Sequence, residues 1–206
     1  MTLRQRVLGR LVGQFHHPHG PGGHVAGWVM AHRSSNRRRN LWVISLLDVQ
    51  PTDSVFEVGF GPGIGIKEAS RLAVRGRVFG IDHSEVMVRQ ATKRNASAVR
   101  SGRVVLQRGS AEDPPVYEVP MDKIVSVNSM GFWRDPVDRL RVLHGRLRPG
   151  GQIAIASQPR CPGATRGTSM RAAHEIEDAL HSAGFSRTRV ETLDLKPPAV
   201  CVIGDA

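Results

Sequence analysis

"VFEVGFGPGIGI", residues 55–66, places Gly59, Gly61, Gly63 and Gly65 within seven positions, directly behind a short apolar run that contains a carboxylate, Glu57. Glycine loses more conformational freedom on folding than any other residue, so this density marks a place that needs bare backbone. The run in front, residues 54–59, reads as a short buried strand. "IGIKEASRLAVR" (64–75) behind it reads as a helix closed by Gly76. A glycine turn between a strand and a helix lies where open α/β sheets bind ligands, at the carboxyl ends of the strands.

The same unit recurs down the chain. Residues 77–82 form the next strand, and Ser84 can N-cap a helix over 85–99 with Glu85 in its favourable first turn. Strands follow at 103–109 and 122–129. A helix over 136–147 has Pro136 in its first turn and is stopped by "RPGG" (148–151). Then come a strand at 152–158, a helix at 171–184 ending on Gly184, and closing strands at 187–195 and 199–204. Alternating strands and helices predict a mostly parallel sheet with helices on both faces. Residues 1–40 differ in style. "QFHHPHGPGGHVAG" (14–27) concentrates His, Pro and Gly and predicts an irregular segment. Residues 28–49 carry helical spacing, with Trp42, Leu46 and Val49 on one stripe. The expected division is an N-terminal helical and loop cap over 1–40 and an α/β domain over 41–206.

Composition narrows the classes. No run of about 18 apolar residues occurs among the 206, so no membrane span is predicted, and the basic N-terminus lacks the apolar core of a secretory signal. Cys161 and Cys201 have no CxxC or zinc spacing and read as free thiols in a reducing, cytoplasmic compartment. The net charge is +11, and only Lys67, Lys93, Lys123 and Lys196 among the 29 basic residues are lysine. No acid precedes Asp48, while Arg33 and "NRRRN" (36–40) form a cluster. That cluster is open to two readings: a solvated basic face, or a docking site for an anionic substrate, a lipid surface or nucleic acid. Nucleic acid ranks low, because RNA readers interleave aromatics with their basic residues and this chain has one Tyr.

The loop itself excludes two cofactors. A dinucleotide seat wants G-x-G-x-x-G, and the third position counted from Gly59 is Ile64. A phosphate loop would end in GK[ST], which is absent. The spacing is G-x-G-x-G, with Glu57 two residues ahead.

At this point the chain resembles the class I S-adenosylmethionine-dependent methyltransferases. "VFEVGFGPG" is similar to their first motif, "GIDHSEVMV" (80–88) to the second and "GSAEDPPV" (109–116) to the third. "DKIVSVNSMGFWRDP" (122–136) and "LRPGGQIAIASQP" (147–159) are similar to the fourth and fifth, in family order across residues 41–206. The resemblance implies a Rossmann-like seven-stranded sheet whose last strand is antiparallel, and S-adenosylmethionine as cofactor. It implies that Gly59, Gly61 and Gly63 let the cofactor approach the backbone, that Glu57 compensates its ammonium, and that Asp82 accepts the ribose hydroxyls. His83 and Met87 would flank the adenine and Asn128 the methionine end. Where the family commonly has an Asp, this chain has Ser110; Ser110 or Glu112 would receive the adenine amino group, and Ala111 would offer a backbone N–H.

The acceptor is read from less. The expected substrate is a small polar molecule methylated on a hydroxyl, with a sugar as one candidate. His16, His17, His19 and His24 crowd the cap, and of these His24 and His19 are the candidate general bases; divalent metal ligation is their other functional reading, and no metal ligand is assigned. Phe132 and Trp133 would form an apolar or sugar-stacking wall, or cap a helix. No NPPY-type motif follows the fourth strand, which disfavours amide and nucleobase N-methylation. The cap pattern is also similar to small actinobacterial methyltransferases, some of which act on sugar hydroxyls and others on lipids or quinones. A phospholipid or quinone methyltransferase at a membrane surface is therefore the second reading. An RNA-binding or non-catalytic cofactor-binding protein is the third. A homo-oligomer is compatible with all of them.

Overall fold

The computed structural model describes residues 34–206. The cap histidines and Trp28 lie outside the described residues, as does all of the cap before residue 34. The chain enters as helix α1 (Ser34–Leu46), which runs through the expected division at residue 40. It continues through β1 (Ser54–Val58), α2 (Ile64–Leu72), β2 (Arg77–Asp82), α3 (Glu85–Arg94), α4 (Ala96–Arg100) and β3 (Val104–Arg108). Then come β4 (Met121–Val127), a short 3-10 turn at Met130–Phe132, α5 (Pro136–His144), β5 (Leu147–Ser157), α6 (Arg166–Ser182), β6 (Ser186–Leu193) and β7 (Ala199–Asp205).

Among the described residues the strands make one seven-stranded sheet in the order β3-β2-β1-β4-β5-β7-β6. β1 pairs in parallel with both β2 and β4, and β7 runs antiparallel to β5 and β6. The Rossmann-like architecture expected from the sequence is the one observed. The order reverses between β1 and β4, and a crevice opens at such a reversal.

Side-chain alternation along each strand splits the core in two. Phe56, Ile124, Ile153, Ile155, Val200 and Val202 point to the face covered by α5 and α6, where Leu140, Leu143 and Leu180 meet them. Val55, Val125, Ala154, Cys201 and Ile203 point to the other face, against Val43, Ile44 and Leu47 of α1 and Ile66 of α2. Strands buried on both faces have no polar side, which is why they read as unbroken apolar runs. Cys201 is fully buried and Cys161 exposed, and burial raises the Cys201 thiol well above its ordinary range.

Four local expectations change. The helix expected over 85–99 breaks at Asn95, whose side-chain amide donates to the Ala91 carbonyl at 2.8 Å and the Gly63 carbonyl at 3.2 Å. A short amide that bonds the backbone competes with the helix ladder. Ser84 occupies the N-cap position of α3, but its side chain makes no capping bond. "RPGG" belongs to β5, which begins at Leu147 opposite Met121 and regains register at Gln152 opposite Lys123 after an irregularity. Helix α6 starts at Arg166, five residues early, because Thr165 and Thr168 form a reciprocal capping box. His144 closes α5 half-buried, its ring edge-on to Phe185 at 4.8 Å.

Candidate functional site

The crevice at the reversal is a cleft of about 760 Å³. Gly59 and Gly61 line it from the loop after β1, and Asp82 and His83 from the end of β2. Ser110, Ala111 and Glu112 follow β3, and Asn128 follows β4. The structure thus brings together every candidate cofactor residue read from the sequence except Glu57 and Gly63, which lie behind the loop.

The loop's glycines serve different purposes. A Cβ on Gly59 would fall 2.3 Å from Ser129 Oγ, and one on Gly63 would fall 2.6 Å from Ala91 Cβ. One on Gly65 would fall 2.6 Å from a Glu57 carboxylate oxygen. These three are bare because the protein itself fills the space. At Gly61 nothing lies within 4 Å, and its φ is +52°. Gly61 is the position where open backbone faces the cleft.

Asp82 holds this loop. Its Oδ2 accepts from the Gly61 N–H at 2.8 Å and its Oδ1 from the Ser84 N–H at 2.9 Å. Burial raises its pKa, while the two N–H donors and nearby His83 draw it back. Each carboxylate oxygen can accept more than one hydrogen bond, so the lip of the cleft still offers acceptor capacity suited to a vicinal diol.

Glu57 is buried in the apolar run. It accepts from the Ile66 N–H near the start of α2, and its Oε2 is buried with no hydrogen-bond partner among the described residues. Burial first, and the Asp82 charge second, push its pKa from an ordinary 4.5 up to about 8. An acid raised in the folded state binds a proton that the unfolded chain has released. Its contribution to stability is therefore complete below about pH 4.5 and is lost as pH rises through about 8. Glu57→Gln keeps the shape without the ionisation. The melting temperature of this variant relative to the parent should climb from about pH 5 to about pH 8 in the absence of ligand. A difference that stays flat with pH would mean that Glu57 is not held neutral.

The far strands supply hydrogen-bonding groups. Ser110 Oγ donates to Glu112 Oε2 at 2.6 Å, and Glu112 Oε1 accepts from the Arg134 N–H at 3.0 Å. The Ser110 bond, then the Arg134 N–H, hold the Glu112 carboxyl below its usual range. The missing acid at position 110 is thus backed by an acid two residues on. Asn128 sits at φ +56°, and its Oδ1 accepts from the Gln158 N–H at 2.7 Å. Trp133 is buried in the core and donates from Nε1 to Ser129 Oγ at 3.1 Å, whereas Phe132 is exposed at the mouth. His19 and His24 lie outside the described residues. Among the described residues no three His, Cys, Asp or Glu side chains are grouped to hold a metal, and no helix is long and apolar enough to cross a membrane.

Sequence reasoning missed the contribution of α1. Asn36, Arg39 and Asn40 line the cleft. Within "NRRRN" Arg37 and Arg38 are exposed, but Arg39 is only 3% exposed. It donates from Nη1 to Gln158 Oε1 and from Nη2 to Asn36 Oδ1, both at 2.6 Å. Helical phase was the available signal, since Arg39 falls one turn before the apolar Val43 and Asn40 one turn before Ile44.

Comparison with known proteins agrees with this geometry. A family described as "Methyltransferase domain" matches residues 55–151. The uncharacterized methyltransferase YdaC of Bacillus subtilis is 32% identical over 178 residues, which is 86% of this chain and 95% of YdaC. Other relatives match about half of this chain. The erythromycin 3''-O-methyltransferase of Saccharopolyspora erythraea is 30% identical over 50% of this chain and 34% of its own length. The demethylmenaquinone methyltransferase of Symbiobacterium thermophilum is 28% identical over 53% and 45%. Among solved structures, a SAM-dependent methyltransferase from Aquifex aeolicus superposes with a TM-score of 0.68 at 19% identity, covering 87% of this chain and 97% of that one.

Proposed function

The chain belongs to the class I S-adenosylmethionine-dependent methyltransferases, and we propose that it methylates a hydroxyl of a small polar acceptor. When bound, the cofactor supplies an electrophilic methyl group on a sulfonium. The cleft fits such a group: Gly61 is bare toward open space, and Asp82 presents a carboxylate beside it. Ser110, Ala111 and Glu112 would hold the adenine end and Asn128 the methionine end, with Glu57 placed beneath the loop as a proton-bearing acid.

The observation that carries the acceptor class is the polarity of the wall beyond that seat. Asn36, Arg39, Asn40 and Ser129 face it with Phe132 and Trp133. Such a wall orients a hydrogen-bonding molecule, and orientation is most of what a methyl displacement asks of the protein. The erythromycin relative, by its name, methylates an oxygen, which supports the same reading. A hydroxyl also needs its proton removed. Asn, Ser, Arg and Trp are poor bases at neutral pH, so the reading assigns the base to His24 or His19 of the N-terminal segment.

Labelled S-adenosylmethionine with separate pools of sugars, phenols, quinones and lipids tests the class. Label on hydroxyl oxygens of soluble acceptors is expected, and label confined to the quinone or lipid pool overturns the reading. With an accepted substrate, His24→Ala or His19→Ala should lower kcat by about a hundredfold or more. Affinity for S-adenosylhomocysteine should be unchanged. Full turnover in both variants removes the cap histidines as bases.

A further inference from the structure

The polar wall ends in two arginines that meet on one acceptor atom. Arg39 Nη1 donates to Gln158 Oε1 at 2.6 Å, and Arg160 Nη2 donates to the same oxygen at 3.2 Å. Gln158 is fixed in turn, with its backbone N–H on Asn128 Oδ1 and its side-chain amide on the Pro197 carbonyl at 2.8 Å. Both arginines line the cleft.

Arg39 meets no carboxylate among the described residues. Arg39 is 97% buried, its Nε has no hydrogen-bond partner, and no ion pair to it exists among the described residues. Residues 1–33 cannot supply a carboxylate side chain, because no Asp or Glu precedes Asp48 in the chain. A buried guanidinium held only by neutral amides is poorly compensated, and a partner anion would relieve that. Burial, then the Arg160 charge, lowers the Arg39 pKa to about 10, so it still carries its charge at neutral pH.

The positive field continues outward. Arg160 also lines a second, more open groove of about 710 Å³, to which Arg166 and Lys196 contribute with a single acid, Asp194. Arg160 therefore stands where the methyl-transfer cleft meets a basic approach from the surface. Asp82 and Glu112 lie at the other end, past β1 and β4, so the cleft is acidic at its cofactor end and basic at this one.

We propose that the acceptor carries an anionic group, a carboxylate or a phosphate, seated between Arg39 and Arg160. The inference rests on the reading of this cleft as the site of methyl transfer and names the substrate class more narrowly. A planar guanidinium fork matches either anion through paired hydrogen bonds. Gln158 spaces the two forks, and the groove guides the anion in.

The full chain saturated with S-adenosylhomocysteine is titrated with inorganic phosphate, and separately with benzoate, while the melting temperature is followed. Parent protein should be stabilised by at least one of the two anions in a saturable way at constant ionic strength. Arg160→Gln, an exposed substitution that leaves the core alone, should weaken that response about tenfold. Arg39→Gln should abolish it, and Arg39→Lys should restore part. Two results overturn the proposal. One is an anion response that is absent, or equal in parent and Arg160→Gln. The other is loss of anion binding on saturation with S-adenosylhomocysteine, together with Arg39→Gln weakening S-adenosylhomocysteine but not 5′-methylthioadenosine, which lacks the amino-acid tail. That pattern would give the arginines to the cofactor's own carboxylate. Because these arms read binding, they stand apart from the acceptor screen. Neutral alcohols methylated as well as their carboxylate- or phosphate-bearing counterparts, with neither rate changed in Arg160→Gln, would sink this inference and leave hydroxyl transfer intact. Anion binding without any hydroxyl methylation would do the reverse.

Discussion

Asp82→Ala should weaken binding of S-adenosylhomocysteine by at least about tenfold, and by more if both ribose hydroxyls lean on the carboxylate. Hydrogen bonds to a charged group contribute roughly 1.5–3 kcal/mol each, and 1.4 kcal/mol is a factor of ten. The structure adds a second route to the same loss. The carboxylate fixes the Gly61 and Ser84 N–H groups, so its removal also releases the loop that forms the seat. Asp82→Asn separates the two routes. Its amide oxygen can still accept from one of these N–H groups, but its amide nitrogen cannot accept from the other, and it offers no charge to the diol. The asparagine variant should therefore keep more of the parent's thermal stability than the alanine variant while binding the ligand nearly as poorly. Calorimetric titration together with a melting curve for each variant decides it. Parent-like affinity in Asp82→Ala would remove the cofactor from the ends of β1 and β2.

Legibility of the fold and of the site differed for a physical reason. Strands β1, β2, β4 and β5 sit mid-sheet, buried on both faces, so their sequences had to be apolar runs between turn residues, and the strand–loop–helix repeat could be read directly. Asp82 was legible for the same reason, as a carboxylate closing such a run. What the glycines face was not legible, because the atoms that crowd them come from far along the chain: Ser129 over Gly59 and Ala91 over Gly63. Glu57 was readable as an acid inside a strand, but not as one turned toward Gly65 and away from the cleft. The basic cluster could be read only as two alternatives. Three consecutive arginines look like one solvated surface until the helix is docked; then Arg37 and Arg38 turn outward and Arg39 turns in. A helix's polar pattern does not say which polar residue lies over a cleft. That depends on Gln158, 119 residues later.

The two loop glycines with opposite environments should fail in opposite ways. At Gly63, with φ +76°, an added methyl would meet Ala91 Cβ at 2.6 Å and Ala91 Cα at 2.9 Å. Those atoms belong to the α3 backbone and its first carbon, so they cannot swing aside. The left-handed conformation costs a non-glycine residue roughly 1–2 kcal/mol, and overpacking adds roughly 1–3. Gly63→Ala should thus destabilise the fold by about 2–5 kcal/mol, a large share of the roughly 5–15 kcal/mol that holds a domain together. At Gly61, with φ +52°, the same methyl meets nothing of the protein within 4 Å. Gly61→Ala should lose only the conformational term, about 1–2 kcal/mol, and remain folded. Its methyl would instead stand in the cleft where ligand must approach the backbone, and S-adenosylhomocysteine affinity should fall about tenfold or more. Urea unfolding and calorimetric titration of both variants make the contrast quantitative. A Gly61→Ala protein that binds like the parent would place the ligand elsewhere in the cleft. A Gly63→Ala protein as stable as the parent would mean that α3 does not pack against this loop as described.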